Sequence, residues 1–275
     1  MRVLSLFDGI SCGQIALNKT GVVVDDYFAS EIKDIAIKVT QANYPSTVQI
    51  GDVTKLDFRK YKDVDLLIGG SPCQDLSIAM SGRQGLKGNQ SSLFYYYAKA
   101  LEIIKPKYFL LENVARMKAE DKEIITNTLG GVQPMRINSS LVSAQLRDRL
   151  YWTNIPGVVA PKDRGVKLQD VLESGYTERD KSRALLVSDS KPLKDKKRMW
   201  HRFTNTGFTT VVCESKEFAV ENLRYFTQLE LERLQTVPVG YTQCVKRDDA
   251  ADLLGDAWTV DVISHIFSFM PEASH

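Results

Sequence analysis

Five short strand-like runs, at residues 3–6, 24–29, 48–50, 64–68 and 108–111, lead into a glycine or an acidic residue within a few positions. Helical stretches follow the first and second runs and precede the fifth. Apolar runs of this length mark strands buried on both faces, and parallel strands need helical crossovers to join them. The pattern restricts the chain to an α/β architecture with a mostly parallel sheet. In such sheets ligands bind beyond the carboxyl ends of the strands, so the residues just after each run are the ones to inspect.

The first run opens into Phe7, Asp8, Gly9, Ile10 and Ser11, and a helical stretch begins near Gln14. Strand, glycine loop and helix form an opening that lets backbone approach a ligand, although a tight turn has the same composition. The second run ends at Glu31, about twenty residues beyond the glycines, where a carboxylate is placed to accept ribose hydroxyls. The third ends at Gly51 and Asp52. Each carboxylate alone is equally an ordinary cap; their recurrence after consecutive strands favours a site.

The fourth run exits into GGSPCQDLS at residues 69–77. Glycines allow a sharp turn, and Pro72 stiffens the chain ahead of Cys73, which puts a thiol at the rim of the sheet. A buried structural cysteine is the plainer alternative. A polar, glycine-rich stretch at 81–90 has the character of a lid. Ser91 or Ser92 is a cap for a helix with apolar residues drawn from 93–104. The fifth run ends at Glu112, Asn113 and Val114, again a carboxylate at an expected strand tip. Arg147 and Arg149 alternate ahead of a strand at 150–152, and so are expected on one face.

Over residues 156–221 the alternation fails. Lys191, Lys194, Lys196, Lys197, Arg198 and Arg202 crowd there with Trp200, His201 and Phe203, which suits either a nucleic-acid surface or a solvated loop. Order returns with a short helix at 228–235, announced by the Thr227 and Glu230 capping box, and residues 254–259 open a last amphipathic helix at 260–270.

The 275 residues suffice for one large domain, or a domain with a smaller lobe. No apolar run approaches a membrane span, and no cleavable signal pattern is present, so an intracellular, cytoplasmic protein is expected. Four scattered cysteines and three histidines argue for reduced thiols and no metal site. The net charge of +2 says little about partners.

Taken in order, Phe7-x-Gly9, Glu31, Asp52, the Gly-Ser-Pro-Cys-Gln loop at Cys73, Glu112-Asn113-Val114, Gln145-x-Arg147-x-Arg149, the 224–235 helix and Gly255 resemble the motifs of the cytosine-C5 DNA methyltransferases. The resemblance covers nearly the whole chain, and Phe7-Asp-Gly-Ile, the short variable region and Trp258 look most like the compact animal de novo type. It implies a Rossmann-like, S-adenosylmethionine-dependent methyltransferase fold with a small irregular target-recognition lobe. The implied division is a catalytic and cofactor-binding domain at 1–155, a target-recognition region at 156–221 and a returning segment at 222–275.

The resemblance also implies roles. Cys73 adds to C6 of a flipped-out cytosine, Glu112 neutralises the ring at N3, and Arg149 and Arg147 hold the base oxygen and adjacent phosphate. S-adenosylmethionine, leaving as S-adenosylhomocysteine, would sit among Phe7, Asp8, Gly9, Ile10, Ser11 and Glu31, with Ile32, Asp52, Val53, Gly70, Pro72, Leu93 and Trp258 completing the pocket. Gln74, Ser77, Lys194, Lys196, Lys197 and Arg198 would contact double-stranded DNA, and the 77–90 loop would close over the base. A monomer without metal or membrane is expected, with a restriction partner left open. Two positions depart from the family pattern: Ser11 replaces a glycine, and fits if its φ is negative, and Asp256 replaces an asparagine. The rival readings are a tRNA cytosine-C5 methyltransferase of the same family, against which the missing Cys-Phe-Thr tripeptide counts, and an inactive DNA-binding relative, against which the retained Cys73, Glu112 and arginines count.

Overall fold

A computed structural model describes residues 1–71, 93–185, 196–206 and 210–273. The chain divides into two compact units, one formed by residues 1–137, 148–160 and 263–275 and the other by 138–147 and 161–262.

The first unit is built on a seven-stranded sheet of order β3-β2-β1-β4-β5-β8-β6. Its strands are β1 (Arg2–Leu6), β2 (Asp26–Ser30), β3 (Val48–Gln49), β4 (Leu66–Gly70), β5 (Tyr108–Val114), β6 (Met135–Asn138) and β8 (Asp148–Thr153); β7 (Gln145–Leu146) lies apart, paired with β9 (Ser182–Arg183). From β3 through β5 every pairing is parallel, and β5 pairs antiparallel with β8. The strand order reverses between β1 and β4, which makes the carboxyl ends of these two strands the natural ligand crevice.

Helices α1 (Cys12–Lys19), α2 (Asp34–Asn43), α3 (Phe94–Ile104) and α4 (Ala119–Thr128) accompany the sheet. The core joins Leu4, Leu6 and Leu67 to Phe94, Tyr97, Phe109, Leu111 and Trp152. The indole of Trp152 donates to Thr126 Oγ1 at 3.0 Å, so the largest buried ring leaves no unpaired N–H. Gly69 is required where β4 passes α3: a Cβ there would stand 2.9 Å from Tyr97 Cδ2 and 3.0 Å from the Leu6 carbonyl.

The second unit holds α5 (Leu168–Val171), α6 (Lys196–His201), the short pair β10 (Val212–Cys213) and β11 (Leu223–Arg224), α7 (Gln228–Gln235) and α8 (Arg247–Asp256). Helix α9 (Val260–Phe267) carries the chain from this unit back into the first. The expected capping box starts α7: Glu230 N–H donates to Thr227 Oγ1 and Thr227 N–H to Glu230 Oε2. Glu230, fully buried, also takes both ends of the Arg224 guanidinium, at 2.8 and 2.9 Å.

Three sequence expectations need correction. Strand β5 continues through Val114, so Glu112 lies inside it and not past its tip. Residues 254–256 end α8 instead of opening the last helix. Arg147 falls in the break between β7 and β8, so it does not share a strand with Arg149.

Candidate active site

The loop between β1 and α1 places three residues in the left-handed region, Phe7 at φ 59°, Gly9 at φ 60° and Ser11 at φ 56°. The expectation of a negative φ at Ser11 is thus overturned, and the serine occupies a conformation that favours glycine. Phe7 packs against the core of the first unit and Ile10 is buried. Asp8 accepts from Ser11 Oγ and, at 2.8 Å, from Tyr27 Oη. Burial pushes its carboxyl up to about 6, with hydrogen bonds from Ser11, Ser5 and Tyr27 opposing the rise and the Glu31 charge adding to it.

Glu31 is oriented by backbone. Gly9 N–H donates to Oε2 at 2.8 Å, and Ile32 and Lys33 N–H donate to Oε1 at 2.7 and 2.9 Å. Both lone pairs of Oε1 are thus engaged, and Oε2 keeps one for another donor. Beside it Ile32 is 70% exposed, a large apolar side chain left open to solvent. Asp52 caps the 3₁₀ turn Val53–Lys55 by accepting Thr54 N–H and Oγ1 on Oδ1, at 2.9 and 2.8 Å. The Thr54 N–H holds this carboxyl below its ordinary value. Val53 is buried, and a Cβ on Gly9 or Gly51 would meet nothing within 4 Å. The space beside both glycines is open.

At the exit of β4, Gly70 stands in register with Glu112 of β5. Asn113 Nδ2 reaches back to Ser71, 3.0 Å from its Oγ and 3.3 Å from its carbonyl. Glu112 is 8% exposed, and its Oε1 receives Arg149 Nε at 2.7 Å. Arg149 also donates to the Asp148 carbonyl. Pro72, Cys73, Gln74, Ser77, the expected lid at 81–90, the caps Ser91 and Ser92, and Lys191 and Lys194 lie outside the described residues. Leu93 packs, partly buried, on the core ahead of α3.

In the second unit Arg147 is 5% exposed and donates to the Gly255 carbonyl at 3.0 Å. Nearby in sequence, Gln145 donates to the Leu234 carbonyl and accepts Leu185 N–H. Gln235, which sequence reasoning left as the plain end of a helix, is the hub of a buried network. It donates to the Leu254 carbonyl at 2.6 Å and its Oε1 accepts Thr259 Oγ1 at 2.9 Å. Gln145 and Arg147 of one motif and Gln235 of another thus tie residues 254–259, Trp258 among them, into the second unit. A glutamine in an amphipathic helix followed by no charged partner was the available signal. Asp256 is exposed at the end of α8.

Lys196, Lys197 and Arg198 are exposed on α6, with the Lys196 ammonium donating to the Glu221 carbonyl. Phe203 is not interleaved with these cations on the surface. It is buried with Met199, Val211, Leu223 and Tyr225, and Trp200 packs on them. Among the described residues no cluster of histidine, cysteine or acidic side chains is arranged to hold a metal, and no helix is long and apolar enough to cross a membrane.

A family model described as C-5 cytosine-specific DNA methylase matches residues 1–133, the stretch that contains the β1 loop, Glu31, Asp52, the Cys73 segment and Glu112. Over that stretch the chain is similar to the C-5 cytosine-specific DNA methylases. Type II methyltransferase M.NlaIV of Neisseria lactamica is 36% identical over 64% of this chain and 47% of its own length. Orphan methyltransferase M.SPRI of Bacillus phage SPR is 33% identical over 64% of this chain and 43% of its own. In these two matches the chain spans less than half the length of its relative. Type II methyltransferase M1.ScrFI of Lactococcus lactis, at 29% identity, aligns over 98% of this chain and 78% of its own. The solved structure of the Entamoeba histolytica methyltransferase EhMeth superposes with a TM-score of 0.76 at 16% identity, over 98% of this chain and 97% of that chain. The fold is accordingly the Rossmann-like one of these methyltransferases.

Proposed function

We propose that the chain is a DNA (cytosine-5-)-methyltransferase that moves a methyl group from S-adenosylmethionine to C5 of a cytosine swung out of duplex DNA. The observation that carries the reading is the Glu112–Arg149 pair, 2.7 Å apart and largely buried, on the strand in register with the one that leads to Cys73.

The residues at the rim of β1 to β3 fit the donor. Glu31 offers a spare lone pair on Oε2 for a ribose hydroxyl, Asp52 keeps acceptor capacity on Oδ2, 3.7 Å from Lys55 Nζ, for an adenine amine, and open space lies beside Gly9 and Gly51. Ile32 and Phe7 supply apolar surface. When bound, the donor supplies an electrophilic methyl group on a sulfonium centre.

C5 of cytosine is too poor a nucleophile to take that group unaided. The Cys73 thiolate adds to C6, and electron density moves onto C5 and N3. Glu112 shares with N3 a proton taken up from solvent as the charge develops there, and the Arg149 guanidinium keeps the carboxyl aimed at it. After the methyl group joins C5, a base removes the C5 proton, the C6–sulfur bond breaks and the thiolate is regenerated. Gln74 and Ser77 are assigned to the flipped nucleotide and its phosphate, and Lys194, Lys196, Lys197 and Arg198 to neighbouring phosphates; Arg147, expected on the adjacent phosphate, is instead buried against the Gly255 carbonyl and acts by holding that segment. Extruding the base costs a few kcal/mol of stacking.

The test is transfer of labelled methyl groups to duplex DNA, with RNA as the parallel substrate, for wild type and C73S. Wild type labels DNA and C73S does not, while C73S still binds S-adenosylhomocysteine. DNA carrying 5-fluorocytosine forms a covalent adduct because fluorine does not leave as a proton does. Full activity in C73S, or no adduct with active enzyme, overturns the mechanism.

A further inference from the structure

Ser11 stands at the start of α1, where a serine ordinarily adopts extended dihedrals and turns its hydroxyl onto free N–H groups of the helix. Here φ is 56° and ψ 40°, and the side chain makes no cap hydrogen bond. The hydroxyl points the other way and donates to Asp8 Oδ2. Behind it, Thr40 Oγ1 from α2 donates to Ser11 Oγ at 3.2 Å, and both Ser11 and Thr40 are 0% exposed. The second oxygen of Asp8 takes Tyr27 Oη. Gly9, inside the same turn, spends its N–H on Glu31.

A glycine at position 11 would adopt this backbone freely, whereas a Cβ opposes it. The opposing force is the run of hydrogen bonds from Thr40 through Ser11 to a carboxylate, a chain in which each link polarises the next. We propose that Thr40, Ser11 and Asp8 are positioning residues for the methyl donor: together they stand in for a glycine and hold the loop at Phe7, Gly9 and Ser11 in the shape that receives it. The inference rests on the donor reading given under Proposed function.

The chain needs Asp8 charged. A carboxylate accepts Ser11 and Tyr27 on separate oxygens, whereas protonation turns one oxygen into a donor, so that one of the two hydroxyls must swing round to accept and its present bond is lost. Among the described residues the remaining ionisable group that faces Asp8 is Glu31, whose charge works against that of Asp8.

The experiment is calorimetric titration of S-adenosylhomocysteine into wild type, S11G, S11A and D8N between about pH 7.5 and about pH 5, with ligand-free melting temperatures alongside. Because Asp8 takes up its proton near 6, wild-type affinity falls by about tenfold across the interval. In S11G the fall shrinks to less than about twofold, and in D8N it disappears. S11A keeps the Cβ without the hydroxyl, so it binds at least about tenfold more weakly than wild type at the upper pH and melts below S11G. A loop that is merely structural moves S11A and S11G together. Equal behaviour of those two variants, or a pH step that survives in D8N, overturns the proposal and leaves the donor reading standing. Failure of folded wild type to bind S-adenosylhomocysteine overturns both.

Discussion

Arg149 on β8 lays its Nε 2.7 Å from Glu112 Oε1 on the antiparallel neighbour β5, and side chains of both are at least 85% enclosed. A pair enclosed to this degree contributes little net stability, because desolvation offsets the attraction, but removing one partner strands the other charge. R149A is therefore expected to lose about 3 kcal/mol of stability and at least about a hundredfold in methyl transfer. R149K restores charge without the planar fork and recovers only part of the rate. Urea unfolding and labelled-methyl assays measure both; activity of R149A within about twofold of wild type would remove Arg149 from the mechanism.

Asp8 makes stability depend on pH in a sense opposite to most carboxylates. Its folded value, about 6, lies above the ordinary 3.8, so the native state holds a proton that the unfolded chain has already released. Stability is greatest below about pH 4 for this group and declines as pH rises towards 6. With a discount for partial exposure the difference is on the order of 1 kcal/mol. The urea midpoint should drop between about pH 5 and about pH 7.5 in wild type by more than in D8N; parallel profiles would dismiss the assignment.

Gly69 is pinched between Tyr97 and the Leu6 carbonyl. G69A forces either the ring or β1 to shift, at about 1–3 kcal/mol. Pairing G69A with Y97L, which empties the ring's place, should recover much of the loss, and a cycle with no coupling would mean that the strand moves and not the ring.

Neutralising Lys196, Lys197 and Arg198 together should weaken duplex binding and reduce the slope of log affinity against log salt by at least about 1. The fold should tolerate it, since the apolar residues of α6 face the Met199 cluster. An unchanged slope would return this run to a solvated surface.

What was legible in the sequence followed from local chemistry. The runs that became β1 and β4 are apolar because both faces of a parallel strand are covered, and Thr227 with Glu230 marked the start of α7 by a hydrogen-bond exchange that spans three residues. What escaped depended on partners distant in the chain. Glu112 looked like a strand tip because a carboxylate inside a buried strand is costly, and its compensating cation arrives from β8, thirty-seven positions on. Helix α8 was hidden by its charged opening and by Gly255, whose carbonyl is taken by Arg147. The left-handed backbone of Ser11 could not be read from a serine at all, since its support comes from Thr40 and Asp8.

The hold of Asn113 on Ser71 has one more effect. It fastens the last described residue before the Cys73 segment to the strand that also bears Glu112. The placement of Ser71 against Glu112 is thereby gauged by one short ruler, the β4–β5 register, and is insulated from drift elsewhere in the sheet. Insertions and deletions near the ends of β3 or β6 should leave that gauge untouched, whereas a single-residue slip between β4 and β5 would misalign both groups at once.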